Sequence, residues 1–262
     1  MASYEKDQAI CLRVIDFSET SQIVTFLGRQ TGMMRLLAKG SRKMAKGGAF
    51  SYGSPIDLLA RGEVIFTPPR GAAELGTLTA WNLLDHQPAL RQSLPAFCAG
   101  QIICETALAL LSIHEPQPQL YDQIAVGVAA LGGAETKRVC LSLIKALLIA
   151  TGYQPHLESC LVCKTPMRPG VMAQFCPRSG GACCTHCPAQ SRTVRVDGGV
   201  LCALARLPAP DELAGTPSSR PADAAALRMA ADVLVAAIQA AAERGLKTRW
   251  ALESLFGKAT PL

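Results

Sequence analysis

The sequence predicts an α+β chain: an N-terminal five-stranded β-barrel, then an α-helical domain with a four-cysteine ribbon inserted into it. Three observations carry this. Residues 1–82 are short β-type runs broken by glycine-containing turns. From Pro88 onward, apolar residues recur at helical spacing, Ala and Leu are abundant, and aromatic residues make up only 5% of the chain. Within that helical part lie two Cys-x-x-Cys pairs, Cys160/Cys163 and Cys184/Cys187, separated by a stretch rich in Pro and Gly.

Taken in order, Gln8–Ile15 and Ser21–Gly28 are strands, and Arg29-Gln30-Thr31-Gly32 turns the chain back through Met33–Lys39. Lys39 to Gly48 is a basic, glycine-rich loop without hydrophobic periodicity. Ile56–Ala60 and Glu63–Thr67 read as a second hairpin about Arg61-Gly62. Leu75–Trp81 is the last strand, with Leu75, Thr77, Thr79 and Trp81 expected on one face. Five short strands and one long basic loop fit an OB-fold barrel, and an SH3-like barrel fits the same pattern. Phe50 and Tyr52 follow the loop and could stack nucleic-acid bases, or simply plug the barrel end.

Helices are expected over Ala96–Ile113, from Pro116 and Pro118 through Leu131, and over Thr136–Thr151 with Gly152 as C-cap. Thr193–Val200 reads as a strand pair or a loop, Pro208–Pro221 as a linker, Ala222–Arg244 as a long amphipathic helix and Leu246–Phe256 as a short last one. The last two are expected to pack back on the middle helices. The domain organisation is therefore 1–82 (barrel), 83–158 (first helical part), 159–197 (ribbon) and 198–262 (second helical part). No uninterrupted apolar run reaches the length of a bilayer span; the longest candidates, around Phe97–Ile113 and Val139–Ala150, are broken by Gln101, Glu105 and Lys145 and read as buried helices.

Two Cys-x-x-Cys turns suit zinc, which closes a tetrahedron of soft thiolates without d-electron preference. The expected ligands are Cys160, Cys163, Cys184 and Cys187. Cys176, Cys183 and His186 are spare donors, and Cys183 could replace Cys184 at the cost of the pair's spacing. A disulfide set fits poorly with an odd count of 11 cysteines, several of them in apolar runs, and no apparent signal peptide; this points to a reducing cytoplasm. A thioredoxin-type pair would need a helix that Pro166 and Pro169 oppose. His156-Leu157-Glu158 with Cys184-x-x-Cys187 echoes the zinc-deaminase signature, but residue 183 is Cys rather than Pro, and Cys160 and Cys163 would have no role.

The net charge is +6, and its placement says more than its size. Between Thr20 and Ile56 there is no acid but Arg29, Arg35, Lys39, Arg42, Lys43 and Lys46; between Ser159 and Val196 there is again none, with Lys164, Arg168, Arg178, Arg192 and Arg195. Such zones suit a polyanion, most simply nucleic acid, and Arg35, Lys39, Arg42, Lys43 and Lys46 are the candidate DNA-contacting residues. Lys164 and Arg168 could instead neutralise the thiolates. No Walker loop, nucleophile elbow or HExxH motif is present, so nothing points to an enzyme.

Several segments together resemble the bacterial RecO family of DNA repair and recombination mediators. Ala38-Lys39-Gly40-Ser41-Arg42-Lys43 is similar to that family's K-G-[AS]-R-[RK] loop, and Glu74–Thr79 to the strand after it. Leu147 to Cys163 resembles LL-x-x-x-G-Y-x-P-x-L-x-x-C-x-x-C; Phe175 with Gly180–Cys187 resembles F…GG-x-x-C-x-x-C, which selects Cys184 over Cys183; and Leu246-Lys247-Thr248-Arg249 is similar to L-K-S-R. The resemblance spans nearly the whole chain. It implies an OB-fold, a helical domain and one structural Zn2+ per chain. It also implies binding of single- and double-stranded DNA, strand annealing, and help in loading RecA onto strands coated by single-stranded-DNA-binding protein (SSB), together with RecR, in the cytoplasm at the nucleoid. Met44-Ala45-Lys46-Gly47-Gly48 stands where relatives often carry more Arg, Lys and Ser, which implies weaker DNA affinity.

Overall fold

A computed structural model describes residues 4–42, 52, 54–69, 71, 73–188, 192–215 and 223–258. Lys43, Lys46 and Phe50 lie outside these. The N-terminal part is a closed barrel of β1 (Glu5–Asp16), β2 (Gln22–Gly28), β3 (Gly32–Ala38), β4 (Arg61–Thr67) and β5 (Leu75–Asp85), in the order β1-β2-β3-β5-β4. β1 closes antiparallel on β4, while β3 and β5 run parallel. This is the OB-type barrel expected from the strand pattern. Ala9, Cys11, Val24, Phe26, Met34, Leu36, Val64, Phe66, Leu78 and Trp81 fill the interior, where the Phe26 and Trp81 rings lie 5.3 Å apart.

Two expectations for the barrel fail for identifiable reasons. There is no hairpin about Arg61-Gly62, because β4 starts at Arg61 itself. The preceding residues form a turn with Leu59 at φ 58°, and the Leu59 N–H and Ala60 carbonyl bond to Cys11 at 2.7 and 3.0 Å. In β5 the alternation breaks at Thr79: Leu78 faces Phe66 and Ala80 faces Ile65, so one extra residue bulges out and the phase reverses. Leu78 and Trp81 therefore point inward, and Trp81 does not share a face with Leu75, Thr77 and Thr79.

β1 is buried on both faces. Ala9 and Cys11 enter the barrel, whereas Ile10 and Leu12, with Leu27, Met33 and Leu59, join the larger core made by the helices. Those helices are α1 (Ala89–Gln92), α2 (Leu94–Leu110), α3 (Pro118–Ala129), α4 (Thr136–Ala150), α5 (Gly198–Ala205), α6 (Pro210–Gly215), α7 (Ala224–Ala242) and α8 (Arg249–Phe256). Ser93 caps α2 by accepting the Ala96 N–H, and Gly152 at φ 80° follows the end of α4. The C-terminal helices return to the middle ones: the Glu105 carboxylate accepts the Lys247 and Thr248 N–H groups at 2.7 Å each, and Arg244 donates to the Leu108 carbonyl.

α5 begins within Thr193–Val200, read as a strand pair or a loop, and α6 lies within Pro208–Pro221, read as a linker. Asp197 caps α5 by accepting the Gly199 N–H at 2.7 Å, and the Lys145 ammonium donates to the carbonyls of its last residue, Ala205, and of Leu207 just beyond it, at 2.6 and 3.0 Å. α7 is, by length and composition, apolar enough to cross a bilayer, which the sequence reading did not single out. Its Ala230, Val233, Leu234, Ala237 and Ile238 face the helical core, and Arg228 pairs with Asp232 along it.

Barrel and helices meet at a joint. The His114 N–H donates to the Met33 carbonyl at 2.9 Å, Met33 bridges Ile113 in parallel fashion, and the Arg29 guanidinium grips the Asp122 carboxylate through two 2.8 Å bonds. That fork holds the Asp122 carboxyl below the usual carboxylate range.

Candidate metal centre and nucleic-acid surface

The ribbon is a three-stranded sheet, ordered β7-β6-β8, of β6 (Met172–Cys176), β7 (Gly181–Cys184) and β8 (Val194–Asp197). The short turn Pro177–Ser179, ended by Gly180 at φ 66°, reverses β6 into β7. Such a positive φ suits glycine. This ribbon is more than a metal clip: Ala173, Phe175, Ala182 and Val196 are buried in the same cluster as the helices.

The first cysteine pair is tied to the second through the backbone. Cys160 and Cys163 flank a knuckle in which the Lys164 N–H donates to the Cys160 carbonyl at 3.0 Å, and the Cys160 N–H to the Thr165 carbonyl at 2.9 Å. Lys164 takes the left-handed region at φ 62°, uncommon for a residue with a side chain. The knuckle and the segment before it are stapled to β7 by Leu161 N–H to Ala182 carbonyl, Ala182 N–H to His156 carbonyl, and His156 N–H to Gly180 carbonyl, each at 2.8 Å. β7 carries Cys184, and the Cys187 N–H returns to the Cys184 carbonyl in a second knuckle.

In consequence the Sγ atoms of Cys160, Cys163, Cys184 and Cys187 all lie within 4.8 Å of one another. Among the described residues this is the one group of three or more such donors with that reach. Cys176 and Cys183 are outside it as buried core thiols, and His186 is outside it on the surface. His156 is also outside it, with Nε2 2.8 Å from Ser159 Oγ, so the deaminase-like arrangement of His156 with Cys184 and Cys187 is not assembled.

The thiols are poised unequally. Burial opposes ionisation of Cys160, but the backbone N–H groups of Cys163, Cys184 and Val162 favour its thiolate and bring it down to about 6. Cys163 is lowered by the Thr165 hydroxyl, 3.2 Å away, and by the Thr165 N–H. Cys187 is pushed up to about 12 by the neighbouring Cys184 and Cys163 sulfurs. Four sulfurs this close can all ionise only if a cation takes up the charge. A metal ion bound here must therefore displace protons, and acidification must favour its loss because protons compete for the same sulfurs. Metal-release titration with a chromophoric chelator between about pH 7.5 and about pH 5 is expected to show falling retention with falling pH. Undiminished retention at the acid end would mean that other groups hold the ion.

The barrel cations sit on β3 and just beyond it. Met34, Leu36 and Ala38 point inward, Arg35 is half-buried, and Lys39 and Arg42 are exposed. The sequence stretch is free of acid, but the space around it is not. Parallel pairing of β3 with β5 places Glu74 beside Arg35, at 3.7 Å, and the β1–β2 hairpin places Asp16 3.0 Å from Arg42. Both pairs are solvent-exposed, so each contributes little and can exchange for a phosphate. Tyr52 is half-buried against the barrel core with its hydroxyl 3.2 Å from the Lys39 and Leu78 carbonyls, the plug rather than the free stacking platform.

Comparison with known families agrees with this architecture. A model described as "Recombination protein O N terminal" matches residues 1–87, and one described as "Recombination protein O C terminal" matches residues 91–249. The chain is 30% identical over 250 residues to "DNA repair protein RecO" of Anaeromyxobacter dehalogenans, covering 94% of each. It is 31% identical over 218 residues to the protein of that name in Rhodopirellula baltica (82% of this chain, 78% of the relative), and 29% over 189 residues to that of Cutibacterium acnes (70% and 73%). With both halves matched and the first of these relatives aligned almost end to end, the chain belongs to the RecO family of DNA repair proteins.

Proposed function

We infer that the protein is a non-enzymatic recombination mediator. It binds single- and double-stranded DNA through the barrel, anneals complementary strands, and helps load RecA onto SSB-coated strands together with RecR, in the cytoplasm at the nucleoid. The observation that carries this reading is the set of cations Arg35, Lys39 and Arg42 on β3 and the turn beyond it, on a closed OB-type barrel, in a chain of a DNA repair family. Lys43 and Lys46 continue the same cationic run in sequence. Such groups contact phosphates and read no bases, so binding is weakly sequence-specific and salt-sensitive. Annealing needs little more: screening two polyanions lowers their repulsion, and base pairing then stabilises the product without nucleotide hydrolysis.

The metal is inferred to be one structural Zn2+. A tetrahedral zinc with sulfurs at about 2.3 Å sets them about 3.8 Å apart, and the Cys163 and Cys184 sulfurs are 3.7 Å apart. Four thiolates leave no open coordination position for substrate, which supports a role in the fold.

Two measurements test the reading. Annealing of complementary strands pre-coated with SSB, without nucleotide, is expected to accelerate when this protein is added; tight DNA binding without acceleration would leave a nucleic-acid-binding scaffold. Changing Arg42, Lys43 and Lys46 together to Ala is expected to lower the slope of log affinity against log salt by about two to three. An unchanged slope would move the DNA site off this loop.

A further inference from the structure

The turn between β1 and β2 carries a phenyl ring that neither core uses. Phe17 is 60% exposed, packs into neither hydrophobic cluster, and among the described residues faces no other ring. Single exposed apolar side chains are common, so exposure alone decides nothing. What sets Phe17 apart is where and how firmly it is held.

Its turn is closed by the Phe17 and Ser18 N–H groups, which both donate to the Ser21 carbonyl, at 3.0 and 3.1 Å, and by the Ser21 N–H, which donates to Ser18 Oγ at 3.2 Å. The same turn is bonded to the cationic one that follows β3. The Arg42 N–H donates to the Thr20 carbonyl at 3.1 Å, the Ser41 hydroxyl to Gln22 Oε1 at 3.0 Å, and the Arg42 guanidinium to Asp16, the residue before Phe17, at 3.0 Å. Gln22 Nε2 takes the other Asp16 oxygen at 3.0 Å. Ring and cations therefore belong to one hydrogen-bonded body. Tyr4, the other exposed ring of the barrel among the described residues, precedes β1 at its opposite end, and Tyr52 is committed to the barrel core.

The cations alone cannot tell a single strand from a duplex, because both present phosphates. Open bases are found only on the single strand, and a rigid ring beside the cations offers them a face on which to stack. Glu19, exposed on the same turn, repels phosphate, so a bound strand runs its backbone along Lys39 and Arg42 and turns a base towards Phe17.

We propose that Phe17 is the base-stacking residue of the barrel and sets its preference for single strands over duplex. The proposal rests on the annealing reading above and adds a release step to it: pairing with a complement withdraws the base from the ring, so the duplex product is held less tightly than the strands that formed it.

The test uses the full chain with Phe17→Ala and, separately, Phe17→Trp, with affinities measured for a short labelled single strand, the matching duplex and an abasic strand of the same length. Phe17→Ala is expected to weaken single-strand binding on the order of ten-fold, to leave duplex and abasic-strand binding within about two-fold, and to leave the salt slope unchanged. Phe17→Trp is expected to keep single-strand affinity. Unaltered single-strand binding by Phe17→Ala overturns the proposal, and so does an equal loss on all three ligands, which would make Phe17 a support of the turn. A defect seen only with SSB-coated strands also overturns it and assigns the ring to a protein contact. Each of these leaves the mediator reading standing; that reading fails only if the unaltered protein neither binds nor anneals strands.

Discussion

Cys160→Ser combined with Cys163→Ser is expected to empty the metal centre and to destabilise the whole helical half. Serine oxygens are poor soft donors, and the two remaining thiols cannot close a tetrahedron. Structural zinc contributes on the order of 10 kcal/mol of apparent binding free energy in isolated fingers. Part of that is recoverable here, because Phe175, Ala173, Ala182 and Val196 pack into the helical core independently of the metal. The same sharing spreads the damage. The Leu161–Ala182 staple that positions the first knuckle also orders β7, and β7 supports the buried face of β6. A net loss of about 4 kcal/mol lowers the melting midpoint by roughly 10 °C in a chain of this size. Metal analysis by mass spectrometry and calorimetric melting check both halves of the expectation. Cys183→Ser is the contrasting variant: its thiol is buried but outside the four-sulfur group, so metal content should stay at one per chain. Full metal retention in the double variant would show that other residues hold the ion.

What could be read from the sequence follows what is local. The cysteine spacing identifies four donors, and folding brings their sulfurs together because each Cys-x-x-Cys is a self-contained turn. Helical periodicity locates α2, α3, α4 and α7, where one apolar face repeats over several turns. The misreadings arise where partner elements decide. Thr79 bulges because β5 must match β4, and nothing in the strand's own pattern marks it. Leu59 turns because Cys11 offers its carbonyl and N–H across the barrel. α5 begins at Gly198-Gly199, a pair that reads as loop until Asp197 is recognised as its cap; α6 begins at Pro210, followed by Asp211 and Glu212, a helix start inside what reads as a proline-rich linker. The acid-free appearance of the barrel loop is a sequence property that strand pairing undoes with Asp16 and Glu74. Among the described residues the ribbon's cations meet no such carboxylate.

Gly32→Ala is expected to be the most damaging single substitution at the joint between barrel and helices. Gly32 opens β3 at φ 72°, a region in which a side chain costs about 1 kcal/mol. A Cβ there would also fall well inside contact distance of the Glu115 backbone. That backbone has little room to retreat: the adjacent His114 N–H is bonded to the Met33 carbonyl, His114 itself is at φ 60°, and Met33 bridges Ile113. Relief must come from parting β3 from the segment after α2, which exposes Met33 and strains the Arg29–Asp122 fork. The combined cost is expected to be about 3–5 kcal/mol. Gly170→Ala separates the two causes, because Gly170 has nearly the same φ, 74°, with nothing within 4 Å of an added Cβ. It should lose only about 1 kcal/mol. Denaturant midpoints for the two variants measure the difference: equal losses would show that backbone conformation alone matters at Gly32, whereas the larger loss at Gly32 would identify the barrel–helix joint as a rigid contact on which both halves depend.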